Sequence, residues 1–369
     1  MIDHLLQKIE ESDPAGSVQL MEEQVGRKGQ AWEIHLALFP VVQRVLNPPY
    51  INPHLPKMYR VYRELKPYLA ENEIPALVRL EINEYARRQK LDKIPKPGSL
   101  PSSVSFEPVE SAIRDQDRGR TGILLAAFFK AHGGAELARR LLLLGGNYLD
   151  QSLGHSLSCT AFILLEMLER TDQDPWPALA TLADYFCKGR FHRSLDVRRP
   201  AEPPSERFME AQLLRAASGT GIVNLHHTIT RYAIERGRHF FTDEEYRHLI
   251  AAWVEFMQDK KTRAVEGDRP KIDAAPDPAA FRTAFARLDE KSVSSLAAGM
   301  MDSEQGRKTF GRFLIRGVSE LYQGDYNPHF LTGLGSFLWV MENYGNRPAI
   351  AATALAQYLN FYLGSMKGG

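Results

Sequence analysis

Histidines carry the chemistry that can be read from this chain. Of its eleven, four stand at the front of apolar runs with helical spacing. His35 lies in "AWEIHLALFPVVQRVL". His155 follows Gly154 in "LDQSLGHSLSCTAFILLEML". One of the tandem pair His226 and His227 heads "VNLHHTITRYAIERG". His329 follows Pro328 in "GDYNPHFLTGLGSFLWVMENYG". Small or hydroxylated residues come next in each case, and bulky apolar ones after that. Small residues let helices approach closely, and facing helices of a bundle build metal sites in its interior. Neutral imidazole suits iron, copper, zinc and nickel. Four convergent ring nitrogens with open positions would suit a redox metal that binds oxygen. A lone buried histidine is more commonly a core residue bonded to a carbonyl or hydroxyl, so convergence separates the two readings.

The tandem pair is ambiguous by spacing. Neighbours on a helix point about 100° apart, so both cannot face one site. Ile229 and Ala233 lie three and seven residues after His226, and Thr230 and Ile234 lie three and seven after His227.

Compact motifs are absent. There is no HExxH and no paired Glu-x-x-His pattern of the di-iron bundles. "GTGIV" has no strand before it, and GxGxxG does not occur, so a Rossmann nucleotide site is not expected. Glu166 sits eleven residues beyond His155, about three turns away, and reads as a structural carboxylate. His132, before Gly133–Gly134, reads as the last turn of a helix. His192 and His239 lie beside arginines and read as exposed. Phe106, Phe128, Tyr148, Trp339 and Tyr344 could line a planar pocket but at helical spacing read first as core.

The elements that must position these residues are helices. "ALVRLEINEYARRQK" (76–90), "AELARRLLLL" (135–144) and "TDEEYRHLIAAWVEFMQDKK" (242–261) repeat apolar residues at three- and four-residue steps. Thr242 with Glu245 forms a capping-box pattern. The prolines of "PWPALATLADYF" fit a first helical turn. Alternating Val/Ile/Thr runs are almost missing, so few or no strands are expected. The fold expected is all-α, a single large helical domain over 1–369, with long loops at 92–108, 193–207 and 260–282.

With 369 residues, 44% of them hydrophobic, the chain can bury a large core. Its net charge of +1 lacks the basic footprint of a nucleic-acid binder. Cys159 and Cys187 lie in apolar contexts without CxxC spacing, which argues against a disulfide framework and for a reducing, cytoplasmic setting. No signal-peptide pattern opens the chain, and no apolar run reaches membrane-spanning length. The expected partner is a small-molecule substrate, with neither nucleic acid nor membrane.

Three segments resemble the questin oxidase-like family, an all-helical group. "GHSLSCTAFILLEMLERTDQDPWPALATLADYF" is similar to its histidine, threonine–alanine pair, leucine-rich helix and following "LA-x-x-x-x-Y" helix. "LHHTITRYAIERG" is similar to a family histidine followed three residues later by threonine and then alanine. In that register the likeness selects His227, with Thr230 and Ala233. "HFLTGLGSFLWVMENYGNRPAIAATALAQYL" is similar to the C-terminal histidine helix and the alanine-rich helix after it. "EIHLALFPVVQRV" is a weaker match to an N-terminal histidine segment. The resemblance covers most of the chain through short motifs. It implies an oxygenase of fused aromatic polyketides. The chemistry implied is either non-heme iron held by histidines (here His35, His155, His227 and His329) or a metal-free, NADPH-dependent Baeyer–Villiger-type reaction. Some members add a modified lysine soon after the last histidine. Here Thr332 stands in that early position, and no lysine occurs between Lys308 and Lys367.

Overall fold

The computed structural model describes residues 2–28, 31–92, 96, 98–101, 104–191, 203–219, 221–258, 303–320 and 326–367, with scattered residues between 280 and 300. His192, the loop 260–279 and most of 193–207 lie outside the described residues. Among those described there is no strand, only the isolated bridges Val45–Lys90 and Asn47–Tyr50. The fold is all-α, as the spacing of apolar residues predicts.

The helices run in the order α1 (Ile2–Glu10), α2 (Pro14–Lys28), α3 (Ala31–Ala37), α4 (Phe39–Val42), α5 (His54–Leu65), α6 (Ile74–Arg87), α7 (Glu107–Arg114), α8 (Arg118–Gly146), α9 (Leu149–Ser152), α10 (His155–Glu169), α11 (Trp176–Gly189), α12 (Glu206–Ala217), α13 (Gly221–Arg236), α14 (Asp243–Gln258), α15 (Glu304–Glu320), α16 (His329–Tyr344) and α17 (Pro348–Lys367). Among the described residues no helix is long and apolar enough to cross a membrane.

Four of these helices form a closed inner ring. α5 packs on α10, α10 on α13, α13 on α16, and α16 back on α5. α10 and α16 are buried along most of their length, because other helices cover their outer faces: α8 and α11 over α10, α15 and α17 over α16. A helix apolar all round must be buried in this way. α6 carries α2 and α3.

The ring helices α5 and α10 run parallel and in register. His54 meets His155, Lys57 meets Ser158, and Arg63 meets Glu166, at sequence offsets of 101, 101 and 103. A near-constant offset is the mark of parallel packing. At its far end α10 is clamped to α5 by Glu166, which is fully buried and bonded by Arg63 Nη1 at 2.8 Å and Arg60 Nη1 at 3.4 Å. Leaving that carboxylate unpaired would be costly, so the two arginines fix the register.

Local signals behave as expected at several points. Thr242 and Glu245 close a reciprocal capping box at the start of α14, with backbone bonds of 3.0 and 3.3 Å. The loop that begins at 92 ends where Phe106 leads into α7. His239 is exposed. The helix stop expected at Gly133 is present: α8 is broken at that residue, which takes φ 83° and ψ 170°, and helix then resumes as far as Gly146. Glycine alone adopts that conformation cheaply. His132 beside it bonds the Val104 carbonyl at 2.8 Å. Both cysteines are buried and unbridged.

Candidate metal centre

Three ring helices begin on a histidine. His54 is the first residue of α5, His155 of α10 and His329 of α16; His226 lies in the second turn of α13. Because the four side chains meet, all four helices are entered from the same end of the ring. The turns that start them are sharply specified. Leu153 and Gly154 take left-handed φ of 53° and 76°, which breaks α9 from α10 and turns His155 inward. Pro53 and Pro328 precede the first residues of α5 and α16 and fix the entry backbone.

The four Nε2 atoms converge. His54 Nε2 lies 2.8 Å from His155 Nε2, His155 Nε2 lies 3.1 Å from His226 Nε2, and His226 Nε2 lies 3.0 Å from His329 Nε2. Neighbouring ring centroids are 4.7, 4.5, 4.7 and 4.9 Å apart around the circuit, and the His155–His329 diagonal is 5.9 Å. His54, His155 and His329 by themselves could hold a metal ion: each offers one ligand atom within 4.8 Å of the others, and all three are buried.

The opposite edge of each ring is tied down. His155 Nδ1 faces the Ser152 carbonyl at 2.8 Å, and His226 Nδ1 faces the Ile222 carbonyl at 2.6 Å. His329 Nδ1 faces Asn327 Oδ1 at 2.9 Å, and that same oxygen accepts the His329 backbone N–H at 3.1 Å. An oxygen acceptor requires N–H at Nδ1. The hydrogen-bond network thus assigns the bare lone pair to Nε2 in His155, His226 and His329. His54 Nδ1 lies 3.2 Å from the Asn47 amide.

Burial, reinforced by the neighbouring histidines and Lys57, holds His54, His226 and His329 well below the usual histidine range. Burial and then Lys57 push His155 down to about 3. The rings are therefore neutral at pH 7, with Nε2 lone pairs of His155, His226 and His329 aimed into one small space. Acceptors crowded at 3.0–3.1 Å repel one another unless a cation lies between them. Fixing Nδ1 to an oxygen is also how proteins orient metal-bound histidines.

Two of the expected ligands belong elsewhere. His35, in the short α3, is sandwiched between the rings of Trp32 and Tyr59 at 4.2 and 4.3 Å and pairs through Nδ1 with buried Glu81 Oε2 at 2.7 Å. α3 packs on α6 rather than in the ring of four. The helix-front pattern at His35 is that of a core histidine with a carboxylate partner. His227 is also outside the cluster. Its ring meets Phe256 at 4.9 Å, its carbonyl accepts from Trp253 Nε1 at 2.9 Å, and both partners lie on α14. The structure therefore reverses the choice within the tandem pair: His226 faces His155 and His329, and His227 faces α14.

The reason lies in Thr230. It stands four residues after His226, its hydroxyl bonds the His226 carbonyl at 2.7 Å, and it packs against Gly154 at the head of α10. The small contact that brings α13 onto α10 therefore shares a face with His226.

His54 is the residue sequence reasoning passed over. A signal existed. Asn52-Pro53-His54 repeats the tripeptide Asn327-Pro328-His329, and both copies start a ring helix. The aromatics considered for a pocket serve the core instead: Phe106 packs on Phe128 at 5.3 Å, and Trp339 lies among Tyr232 and Tyr344.

Compared with protein-family models, curated proteins and solved structures, the chain has no significant match.

Proposed function

We propose that the chain is a metal-dependent oxygenase, with iron held by His54, His155, His226 and His329, acting on an aromatic, polyketide-like small molecule. One observation carries the metal: the bare Nε2 lone pairs of His155, His226 and His329 converge with the His54 ring in one buried space. Neighbouring Nε2 atoms 2.8, 3.1 and 3.0 Å apart would let these histidines share one ion. Bound there, iron would supply a redox centre with room for dioxygen.

The chain's own residues would hold the ion, keep water out and set ring orientation. The oxygenase assignment rests on the resemblance to the questin oxidase-like family. An apolar substrate is supported by the surface near the site. Tyr50 and Ile51, just before α5, are 63% and 47% exposed, and Ile222 and Val223, at the front of α13, are 38% and 42% exposed. The Tyr50 ring lies 6.1 Å from that of His54, and Ile222 carries the carbonyl that holds His226.

Metal analysis and anaerobic Fe(II) titration test this reading. Wild type and His227→Ala should bind one ion per chain, whereas His155→Ala and His226→Ala should lose it. Equal loss in His227→Ala and His226→Ala, or no uptake by wild type, defeats it.

A further inference from the structure

The charge around the four histidines is one-sided. No carboxylate lies within hydrogen-bonding or ion-pairing distance of His54, His155, His226 or His329 among the described residues. Their partners are Asn47, Asn327 and the carbonyls of Ser152 and Ile222. Lys57 adds an amine whose pKa is lowered by burial, so its ammonium form lacks a counter-charge here. It is fully buried, stands one turn after His54 on the same face of α5, and donates to Ser158 Oγ at 3.1 Å. Ser158 in turn stands one turn after His155 on α10, so the Lys57–Ser158 pair lies directly behind the His54–His155 pair. Among the described residues no acid is paired with Lys57. Cys159 is the one titratable neighbour that favours its charge, and burial pushes that thiol up to about 11, so it stays protonated. The ring helices also present their N-terminal ends, where the dipole is positive.

A divalent ion here would meet neutral imidazoles, a lysine and helix N-termini, with no negative side chain to balance it. Burying charge without a counter-charge is strongly unfavourable. We propose that the centre takes its metal together with a small carboxylate-like anion from solution, which fills an open coordination position and pairs with the Lys57 ammonium. This rests on the metal reading above. It assigns Lys57 as a residue that positions a ligand. The anion enters as a ligand, with no bond broken in the protein.

Co(II) is the probe, titrated by its visible absorption at fixed pH and ionic strength, in sodium acetate or in sodium tetrafluoroborate. Wild type should bind Co(II) at least about tenfold more tightly in acetate, given the strength of a buried ion pair. Lys57→Met, a near-isosteric change, should lose most of that gain. Lys57→Glu should bind Co(II) tightly in both salts, because the protein then supplies the negative charge. Helicity by circular dichroism verifies that both variants fold, and the Met variant serves if the Glu variant does not. Equal wild-type affinity in the two salts overturns the proposal while leaving the metal centre standing. So does affinity that climbs with pH but ignores acetate, since hydroxide from water would then balance the ion. No Co(II) uptake in either salt defeats the metal centre itself and this proposal with it.

Discussion

At the scale of single residues, the anchors behind the clustered histidines matter as much as the rings themselves. Asn327 uses one oxygen twice, on the His329 backbone N–H and on Nδ1 of its ring. Replacing it removes the acceptor that fixes the tautomer. Asn327→Leu should weaken metal binding by about 10- to 100-fold, the range for such supporting groups. Asn327→Asp keeps an acceptor and should retain affinity. Competition with a chelator for Co(II) measures both, and equal losses in the two variants would refute the role given to that oxygen. His35 shows why residue type alone misleads. It is buried at a helix front like the clustered histidines, but Glu81 at 2.7 Å satisfies one edge of its ring and two aromatic faces hold it.

Among elements, the site depends on how helices begin. α10 can start at His155 because Gly154 accepts φ 76° and has no Cβ to strike the Thr230 hydroxyl. Gly154→Ala should destabilise the fold by about 1–2 kcal/mol from the backbone alone, with a further cost from the clash. Adding Thr230→Ala should recover the clash component and leave the backbone component. Urea midpoints of the single and double variants check this, and a double variant no more stable than Gly154→Ala would rule out the contact. The parallel register of α5 and α10, set at one end by the arginine clamp on Glu166, delivers His54 to His155 and Lys57 to Ser158 at the other.

For the whole molecule, the buried cluster links stability to pH. In the fold the four rings stay neutral, first because burial penalises their charge and then because of neighbouring histidines and Lys57. Unfolded, each takes a proton below about pH 6.5. From there down towards the value of about 3 for His155, the unfolded chain binds more protons, so stability falls as pH falls. Each such histidine contributes up to about 1.4 kcal/mol per pH unit. The urea midpoint of metal-free protein should drop between pH 7 and 5 and change little from these groups above pH 7. Metal that binds only the folded state should raise it. A midpoint unchanged or higher at pH 5 contradicts the buried neutral cluster.

The sequence by itself determined the fold class, because three- and four-residue apolar spacing is a local signal that survives without knowledge of packing. It also marked His155 and His329, whose small following residues and helix-front positions are local too. The Asn-Pro-His repeat held His54 in plain view, but its meaning depends on both copies opening helices of one ring. Tertiary structure alone decided between His226 and His227, and between His35 and His54. Adjacent helix positions have equal claims until a neighbour takes one face, and α14 took the face of His227. A buried histidine becomes a ligand or a core residue according to what stands opposite it. Glu81 stands opposite His35, and the imidazoles of His155 and His329 stand against His226.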